Sequence, residues 1–387
     1  MLLPPLSLYV HIPWCVRKCP YCDFNSHESR TIPEDDYTAQ LLRDLNLDLP
    51  WVQGRRLTSI FFGGGTPSLF SPEAIARIIE HADQTIGFED NIEITLEANP
   101  GTVEQDRFSG YKSAGVNRLS IGIQSFNDSQ LRALGRIHGG NDALRAADRA
   151  RAAGFDNFNL DLMHGLPGQS VNNAMADLQQ AVALAPSHLS WYQLTIEPNT
   201  AYYKNPPLLP LDDCLADIQS AGVRFLRQQG YQQYEISAYS KPGKYSRHNT
   251  NYWQFGDYLG IGAGAHGKIT TPTTGEIHRT AKTRTPKDYL SRNANFEAQR
   301  HRVEPAELPV EFFMNALRLV DGVPTNYFEQ RTGLKLSDIR PTLDTLVAKG
   351  LLSPSPENLL TTPRGLEFLN AVLEIMSENT LIVEGEK

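Results

Sequence analysis

Three cysteines lie within eight residues near the amino end of the chain. Cys15, Cys19 and Cys22 form a CxxxCxxC triplet in the run HIPWCVRKCPYCDF. Three thiolates can bind three irons of a cubic [4Fe–4S] cluster and leave the fourth iron open, whereas a cluster that only carries electrons normally takes four cysteines. The triplet therefore predicts a cluster with one iron at which a ligand can react.

Two other uses of the cysteines remain. The same three thiolates with His27 would make a Cys₃His zinc site, although zinc ligands usually come as two separated pairs. Disulfides are disfavoured, because four cysteines and no basic and apolar leader at the amino end indicate a reducing, cytoplasmic setting. The fourth cysteine, Cys214, occupies an apolar position of a predicted helix and needs no chemical role.

Length and charge limit the class of protein. The 387 residues exceed the roughly 250–300 at which a single core stops growing, so more than one unit is expected. The formal net charge of −8 and the lack of a basic run disfavour a nucleic-acid partner. No stretch approaches the about 18 uninterrupted apolar residues of a membrane span.

Short apolar runs rich in β-forming residues alternate with helix-length segments. Segments such as PEAIARIIEHADQTI show a 3.6-residue period, and here Ser71, just before the segment, and Pro72, its first residue, mark the start of a helix. This α/β pattern predicts an incomplete (β/α)₆ TIM-like barrel over residues 1–205. The six runs are LSLYVHIP, LTSIFFGGGTP, IEITLEANPG, RLSIGIQSF, FNLDLMHGLPG and LSWYQLTIEP.

Polar residues and glycines follow the ends of successive predicted strands. The cysteines follow the first strand, residues 63–67 (GGGTP) the second, and Glu97 and Asn99 the third, while Gln124 and Asp161 end the fourth and fifth. Active sites of barrels are built at this edge. We therefore expect all of these residues to meet at one site.

The residue types at this edge suit a small polar ligand. Glycines let the backbone approach a ligand closely and aim its N–H and C=O groups at it. The carboxylates of Glu97 and Asp161 suit ribose hydroxyls or an ammonium group. Arg136 suits a carboxylate, which its planar guanidinium can bind with two hydrogen bonds.

The triplet, followed by the aromatic Phe24, resembles the radical S-adenosylmethionine (SAM) superfamily, in which the open iron chelates SAM. The motifs of residues 9–167 are similar to the branch of oxygen-independent coproporphyrinogen III oxidase and its relatives. The resemblance implies a [4Fe–4S] cluster on the three cysteines and SAM in the barrel. It also implies that SAM is contacted by Tyr9, Tyr21, Gly64, Gly65, Thr66, Glu97, Gln124, Arg136 and Asp161.

Two features separate the chain from the oxidase itself. The oxidase continues its triplet with a further cysteine, whereas Asp23 and Phe24 follow here. Further along, His248, Tyr252 and Trp253 lie in HNTNYW, which resembles the HNxxYW motif of the heme chaperones in this branch. This resemblance covers essentially the whole chain. It implies a heme chaperone that binds heme and transfers it to acceptor hemoproteins.

The HNxxYW residues suit a porphyrin, because an imidazole can ligate iron and aromatic rings offer flat apolar faces. The alternative is that they form a loop folded over the barrel mouth. His11, His164 and His266 are rival ligands, since each lies beside a predicted strand end or glycine turn. The sequence leaves this choice open.

Two enzymatic functions stay open beside the chaperone. One is an oxidase-like radical SAM enzyme that decarboxylates porphyrinogen propionates, and the other modifies or degrades heme. For the chaperone, the expected partners are heme and acceptor apo-hemoproteins, including peripheral association with membrane-bound hemoproteins, and no nucleic acid. The expected location is the cytoplasm, and the expected state is a monomer or a dimer.

The remainder of the chain divides into two predicted parts. In residues 206–300, which carry the heme motif, YQQYEISAYS and DYLGIGAGAHG predict further strands that extend the sheet or cap its mouth. Residues 301–387 predict helix, helix, short hairpin, helix and a frayed tail from Ser377, an order that resembles a winged helix. The helix predicted to open at Ser337 carries two basic and two acidic residues, so it attracts phosphate weakly.

Overall fold

The structure, a computed structural model, describes residues 1–382. The six predicted β-rich runs all form strands. In chain order, the strands are β1 (Leu6–Ile12), β2 (Trp14–Cys15), β3 (His27–Glu28), β4 (Leu57–Gly64), β5 (Phe88–Ala98), β6 (Arg118–Gln124), β7 (Phe158–His164), β8 (His188–Gln193), β9 (Gln232–Glu235), β10 (Ala238–Ser240), β11 (Asp257–Ile261), β12 (His266–Thr271), β13 (Glu276–Lys282), β14 (Glu297–Arg302), β15 (Val323–Pro324) and β16 (Asn358–Leu359).

The helices alternate with the first strands, as the sequence predicts for a parallel sheet. The α-helices are α1 (Glu34–Asp48), α2 (Pro72–Thr85), α3 (Thr102–Asp106), α4 (Phe108–Ser113), α5 (Asp128–Ala133), α6 (Gly140–Ala152), α7 (Val171–Ala183), α8 (Ala201–Lys204), α9 (Asp212–Gln228), α10 (Arg247–Trp253), α11 (Pro286–Leu290), α12 (Leu308–Ala316), α13 (Asn326–Thr332), α14 (Arg340–Ala348), α15 (Pro363–Glu367) and α16 (Leu369–Ile382).

Helix α2 shows why these segments fold as they do. The Ser71 side chain accepts a hydrogen bond from the backbone N–H of Ala74, and Pro72 occupies the first turn, so the predicted helix start is confirmed. Its buried face consists of alanines and isoleucines at helical spacing, which pack on the sheet.

Twelve strands within residues 1–382 form one sheet, in the order β14-β13-β12-β11-β1-β4-β5-β6-β7-β8-β10-β9. Strands β1, β4, β5, β6, β7 and β8 are mutually parallel, which confirms the predicted (β/α)₆ core. Strand β11 adds a further parallel strand beside β1. The run DYLGIGAGAHG predicts a strand there but not its parallel pairing with the first strand of the chain.

Strand β1 illustrates the two faces of the sheet. Leu6, Leu8 and Val10 are fully buried in the main hydrophobic core. The alternate residues Tyr9 and His11 instead line a cavity inside the barrel. Because side chains alternate along a strand, one set packs in the core while the other supplies polar groups to the interior.

Residues 206–300 extend the sheet at both edges. Strands β9 and β10 join next to β8, and β12, β13 and β14 follow β11 with antiparallel pairing. The predicted extension of the sheet is therefore confirmed. The division into residues 1–205, 206–300 and 301–387 stays a prediction.

The carboxyl-terminal part is helical, as predicted, but differs in detail. A short helix, α13, was not predicted, and the helix expected to open at Ser337 begins as a 3₁₀ turn, Leu336–Ile339, before α14. Strand β15 pairs with β16, and α13 and α14 lie between these two strands in the chain. A single β-bridge also joins Leu352 to Thr361. Helix α16 continues through residues 377–382, where a frayed tail was predicted, and residues 383–387 lie outside the described part.

Among the helices of residues 1–382, none is both long and apolar enough to cross a membrane.

Candidate functional site

The cysteine triplet lies in a loop that follows β1. The loop is closed where Trp14 and Cys15 of β2 pair with His27 and Glu28 of β3. All of its cysteines are free and half-buried. The loop therefore holds three thiols close to the carboxyl end of the first barrel strand, which confirms their predicted placement.

Each sulfur of the triplet has a polar neighbour from the protein. Thr66 Oγ1 donates to Cys15 Sγ at 3.5 Å, and Arg136 Nη1 donates to Cys19 Sγ at 3.7 Å. Ser26 Oγ lies 3.7 Å from Cys22 Sγ. Hydroxyl and guanidinium donors around sulfur stabilise thiolates, which are the ligands of iron–sulfur clusters. The donor set thus fits a cluster.

Burial opposes ionisation of these thiols in the protein alone. It raises the pKa of Cys15 and of Cys22, although hydrogen bonds from Thr66 and Ser26 act in the opposite direction. A bound metal cluster would supply the positive charge that keeps such thiols deprotonated. Within residues 1–382, no group of three or more His, Cys, Asp or Glu side chains is arranged to hold a single metal ion.

A cavity of about 340 Å³ opens directly at the cysteines. We call it the cluster cavity. All three cysteines line it, together with eight of the nine residues expected to contact SAM. The exception is Tyr9. The predicted meeting of residues from successive strand ends is therefore what the structure shows.

Tyr9 lines a second cavity of about 730 Å³, which we call the inner cavity. Its hydroxyl is 3.0 Å from His11 Nδ1, and its ring packs near Phe61. Gly64 and Glu97 line both cavities, as does Phe24. Of the other predicted SAM residues, Tyr9 therefore shares a cavity with Gly64 and Glu97 alone.

The glycine run is tight because the cysteine loop packs on it. Gly64 has a φ of +110°, and a side chain there would meet the His11 ring at 2.5 Å. A Cβ at Gly65 would meet the Trp14 carbonyl oxygen at 2.5 Å, and Gly65 N–H donates to Ile12 at 2.7 Å. Glycine is required at Gly64 by the positive φ and the His11 ring, and at Gly65 by contact with the backbone of Trp14, whereas the sequence had suggested close approach of a ligand.

Two carboxylates face the cluster cavity from neighbouring strands. Glu97 accepts from Gly64 N–H at 3.2 Å, and burial, together with the charge of Asp161, raises the pKa of Glu97 to about 8. Asp161 accepts from Ser120 Oγ at 3.0 Å and from Asn159 Nδ2 at 2.8 Å. Burial also raises the pKa of Asp161. A ligand that brings an ammonium, a sulfonium or hydroxyl donors would stabilise this buried pair.

Asp161 was expected to end its strand, and this is wrong, because β7 continues to His164. Asp161 reaches the cavity from the middle of the strand, since its side chain alternates with the buried Leu160 and Leu162.

Gln124 ends β6 in a left-handed conformation with a φ of +68°. Its Oε1 accepts from the hydroxyl of Tyr192 at 2.8 Å. A non-glycine residue at positive φ is uncommon, and such strain often lies at functional sites.

His248 occupies a different environment from the cluster cavity. It is 1% exposed in α10, with Nδ1 2.9 Å from Ser59 Oγ and Nε2 2.7 Å from Tyr252 Oη. Its ring stacks on Phe61, and burial lowers its pKa to about 3. Both nitrogens are engaged within the protein and the residue lines neither cavity. Heme ligation by His248 stays a prediction that this geometry does not favour.

The other two residues of the motif, Tyr252 and Trp253, line different cavities. Tyr252 lines the inner cavity and Trp253 lines the cluster cavity. Trp253 stacks under the guanidinium of Arg318, with 4.3 Å between that group and the ring centroid. The motif therefore forms a short helix between the two cavities. It does not form the loop over the barrel mouth that was the alternative to a heme contact.

The rival histidines also differ in placement. His11 lines the inner cavity, but Nδ1 contacts Tyr9 and Nε2 lies 2.9 Å from the Asn25 carbonyl oxygen. His164 is 2% exposed against Trp191 and lines neither cavity. His266 lines the inner cavity and is exposed.

Two family models match the chain. The radical SAM superfamily matches residues 9–181, and the HemN C-terminal domain matches residues 303–368. The heme chaperone HemW of Haemophilus influenzae is 54% identical over 378 residues, which cover 96% of this chain and 98% of that protein. HemW of Escherichia coli is also 54% identical, over 96% and 98% of the two chains.

The chain belongs to the HemW family of radical SAM proteins. A mouse mitochondrial relative, radical S-adenosyl methionine domain-containing protein 1, is 36% identical over 95% of this chain and 86% of its own. The solved structure of coproporphyrinogen III oxidase HemN from Escherichia coli matches with a TM-score of 0.81 over 97% of this chain and 90% of that one. At 23% identity, this likeness confirms the predicted radical SAM fold.

Several residues of this HemW-family site were missed in the sequence. Tyr192 and Ser190 line the cluster cavity from β8, and alternation with buried Leu189 and Trp191 could have indicated them. Arg318 lies beyond α12 and pairs with Glu235 at 3.1 Å on the cavity wall. No local pattern marks Arg318, because its contact depends on how the carboxyl-terminal helices pack against the sheet.

Proposed function

We propose that this chain is a heme chaperone, which binds heme and transfers it to acceptor hemoproteins on a radical SAM scaffold. The observation that carries the proposal is 54% identity over 96% of the chain to two proteins named as heme chaperone HemW. Because the identity covers nearly the full length, it includes the barrel, the added strands and the helical carboxyl-terminal part.

We also propose that Cys15, Cys19 and Cys22 hold a [4Fe–4S] cluster and that SAM binds in the cluster cavity. Membership of the radical SAM superfamily supports both cofactors. When bound, a three-cysteine cluster supplies one iron that can accept the amino and carboxylate groups of SAM. The cavity of about 340 Å³ is within the usual range for a small-molecule site.

The protein side chains would orient SAM rather than react with it. The buried Glu97 and Asp161 would accept hydrogen bonds from hydroxyl or ammonium groups, and Ser120 and Asn159 hold Asp161 in place for this task. Tyr192 holds the amide of Gln124 at the other side of the cavity. Because these groups are already hydrogen bonded, the site is organised before the ligand enters.

The alternative is an oxidase-like enzyme, since the fold is shared with coproporphyrinogen III oxidase. A fold hosts different chemistries, so this likeness does not decide between them. A chaperone returns heme unchanged, whereas the oxidase reaction would convert coproporphyrinogen III to protoporphyrinogen and carbon dioxide. The products therefore separate the two functions.

The deciding experiment uses the cluster-reconstituted full chain under anaerobic conditions. One sample receives coproporphyrinogen III, SAM and reductant, and a parallel sample receives heme and then an apo-hemoprotein such as apomyoglobin. Stoichiometric heme uptake, release to the acceptor and no protoporphyrinogen are expected. Turnover of coproporphyrinogen III, or failure to take up heme, would contradict the chaperone.

We further propose that the protein acts in the cytoplasm, where reducing conditions keep its four cysteines free. Its partners would be apo-hemoproteins, including membrane-bound hemoproteins that it meets at the membrane surface. Gel filtration with light scattering would distinguish between the two expected states, a monomer and a dimer.

A further inference from the structure

We propose that heme binds in the inner cavity and that His266 ligates its iron. This inference rests on the proposed function, because heme is the cargo that the chaperone would carry. It assigns the iron to a residue outside the HNTNYW motif.

An iron ligand needs a ring nitrogen that is not already engaged. Two histidines line the inner cavity, His11 and His266, and no histidine lines the cluster cavity. His11 uses both nitrogens, toward Tyr9 and Asn25. In the part of the chain that the structure describes, no hydrogen bond or ion pair engages the His266 ring.

The placement of His266 suits ligation. The residue begins β12, pairs with Ala281 of β13 and lines the cavity while remaining exposed. Partial burial and the nearby cation of Arg279 lower the pKa of His266, which favours the neutral ring. A neutral imidazole is the form that binds iron.

Four aromatic side chains among the lining residues offer apolar surface to a flat molecule, beside polar residues that include the carboxylates of Asp23 and Glu97. Its volume of about 730 Å³ is roughly twice that of the cluster cavity. Tyr252 and Tyr258 lie edge to face, with ring centroids 4.4 Å apart, and Tyr9 and Phe24 add further aromatic surface. Phe24 is 58% exposed, so its ring is accessible to a molecule in the cavity.

Heme also carries two propionates, which need a cation. Arg284 lines the inner cavity, is exposed and forms no ion pair in residues 1–382. Its Nε donates to Asn25 Oδ1 at 3.3 Å, which leaves the end of the guanidinium to meet a carboxylate. Lys282 also lines the cavity, but Asp44 and Asp48 already neutralise it at 2.6 and 2.8 Å.

The inner cavity adjoins the proposed SAM site. Phe24, Gly64 and Glu97 line both cavities, so a porphyrin in the inner cavity would lie beside the cysteine loop. Tyr252 joins the wall of this cavity to the HNTNYW helix and is hydrogen bonded to His248. On this basis His248 is a positioning residue that holds Tyr252 against the porphyrin face.

The test is a hemin titration of the cluster-reconstituted full chain and of His266→Ala, followed by the Soret spectrum. We expect the variant to bind hemin at least about tenfold more weakly, with a shifted Soret band, since the iron loses its ligand. Added imidazole should restore the wild-type spectrum. His301→Ala is the matched control, because His301 is exposed on β14 and lines neither cavity.

A second variant, Arg284→Gln, should weaken binding by several-fold and leave the Soret position unchanged. An unaltered spectrum and affinity in His266→Ala, with heme uptake and transfer by the wild-type protein intact, would overturn this inference and leave the chaperone function standing. Failure of the wild-type protein to take up heme would overturn the proposed function itself. Equal iron content in all variants excludes misfolding as the cause.

Discussion

The guanidinium Nη1 of Arg136 lies 3.7 Å from the Sγ of Cys19. The other end nitrogen of Arg136 is held by Asn99 Oδ1 at 2.6 Å and by the Gly122 carbonyl oxygen at 2.7 Å. Although burial opposes its charge, Tyr21 and Cys19 raise the pKa of Arg136, so the cation is retained. A residue expected to bind a carboxylate therefore also stabilises one of the three sulfurs.

Arg136→Gln should lower the reduction potential of the reconstituted cluster. A cation that donates a hydrogen bond to a cluster sulfur favours the reduced, more negative state, so its loss disfavours reduction. We expect a shift of about 60 mV, which corresponds to a tenfold change for one electron. Redox titration followed by electron paramagnetic resonance measures it. Arg132→Gln, on the exposed side of α5, should leave the potential unchanged, and an equal shift in both variants would contradict a specific contact.

Cys19→Ala should abolish cluster binding. Two remaining thiolates cannot hold a cube that three thiolates hold through three irons. Iron and sulfide analysis after anaerobic reconstitution, with the visible absorbance, measures the loss. Cys214→Ala is the control, because Cys214 lies in α9 and outside the cluster cavity. A brown Cys19→Ala protein with full iron content would refute the cluster assignment.

Asp161→Asn should weaken SAM binding by at least about tenfold and leave the iron–sulfur spectrum intact. The change keeps the shape of the side chain and removes one charge-assisted hydrogen bond, worth about 1.5–3 kcal/mol. Anaerobic equilibrium dialysis with labelled SAM gives the affinity. Asp156→Asn, at an exposed site just before β7, should bind SAM as the wild-type protein does. Unchanged affinity in Asp161→Asn would place SAM elsewhere.

Glu97 should make the protein without SAM less stable as the pH rises from 6 to 8. Its pKa is raised from 4.5 to about 8, so the folded state keeps a proton that the unfolded state has already lost. Between these pH values the free energy of unfolding therefore falls with pH, by about 2 kcal/mol from pH 6 to 8. Glu97→Gln removes this contribution. Between pH 6 and pH 8 the denaturation temperature should therefore fall less in the variant than in the wild-type protein. Glu89→Gln is the control, because Glu89 is exposed on the same strand, and its denaturation temperature should fall as in the wild type.

His248→Phe should destabilise the protein by about 1–3 kcal/mol, because Ser59 and Tyr252 each lose a buried hydrogen-bond partner. Chemical denaturation measures the loss of stability. The Soret position of bound heme should stay that of the wild-type protein. A Soret band altered as strongly as by removal of an iron ligand would instead identify His248 as that ligand.

Much of the fold could be read from local pattern. Short apolar runs separated by helical periodicity predicted the six parallel strands, and Ser71 with Pro72 predicted the start of α2. The parallel pairing of β11 with β1 could not be predicted, because it joins residues 6–10 to residues 257–261. Periodicity reports on neighbours in the chain and carries no information on such distant pairing.

The residues of the site that lie at the ends of strands could be predicted from the sequence. The sequence by itself determined the cysteine triplet, the glycine run and the two carboxylates, since parallel strands bring their carboxyl ends to one edge. The tertiary structure alone decided that Tyr9 lines the inner cavity, that both nitrogens of His248 are engaged, and that His266 is left free. The physical reason is that a side chain's chemical role depends on which groups surround it, and those groups come from segments far apart in the chain.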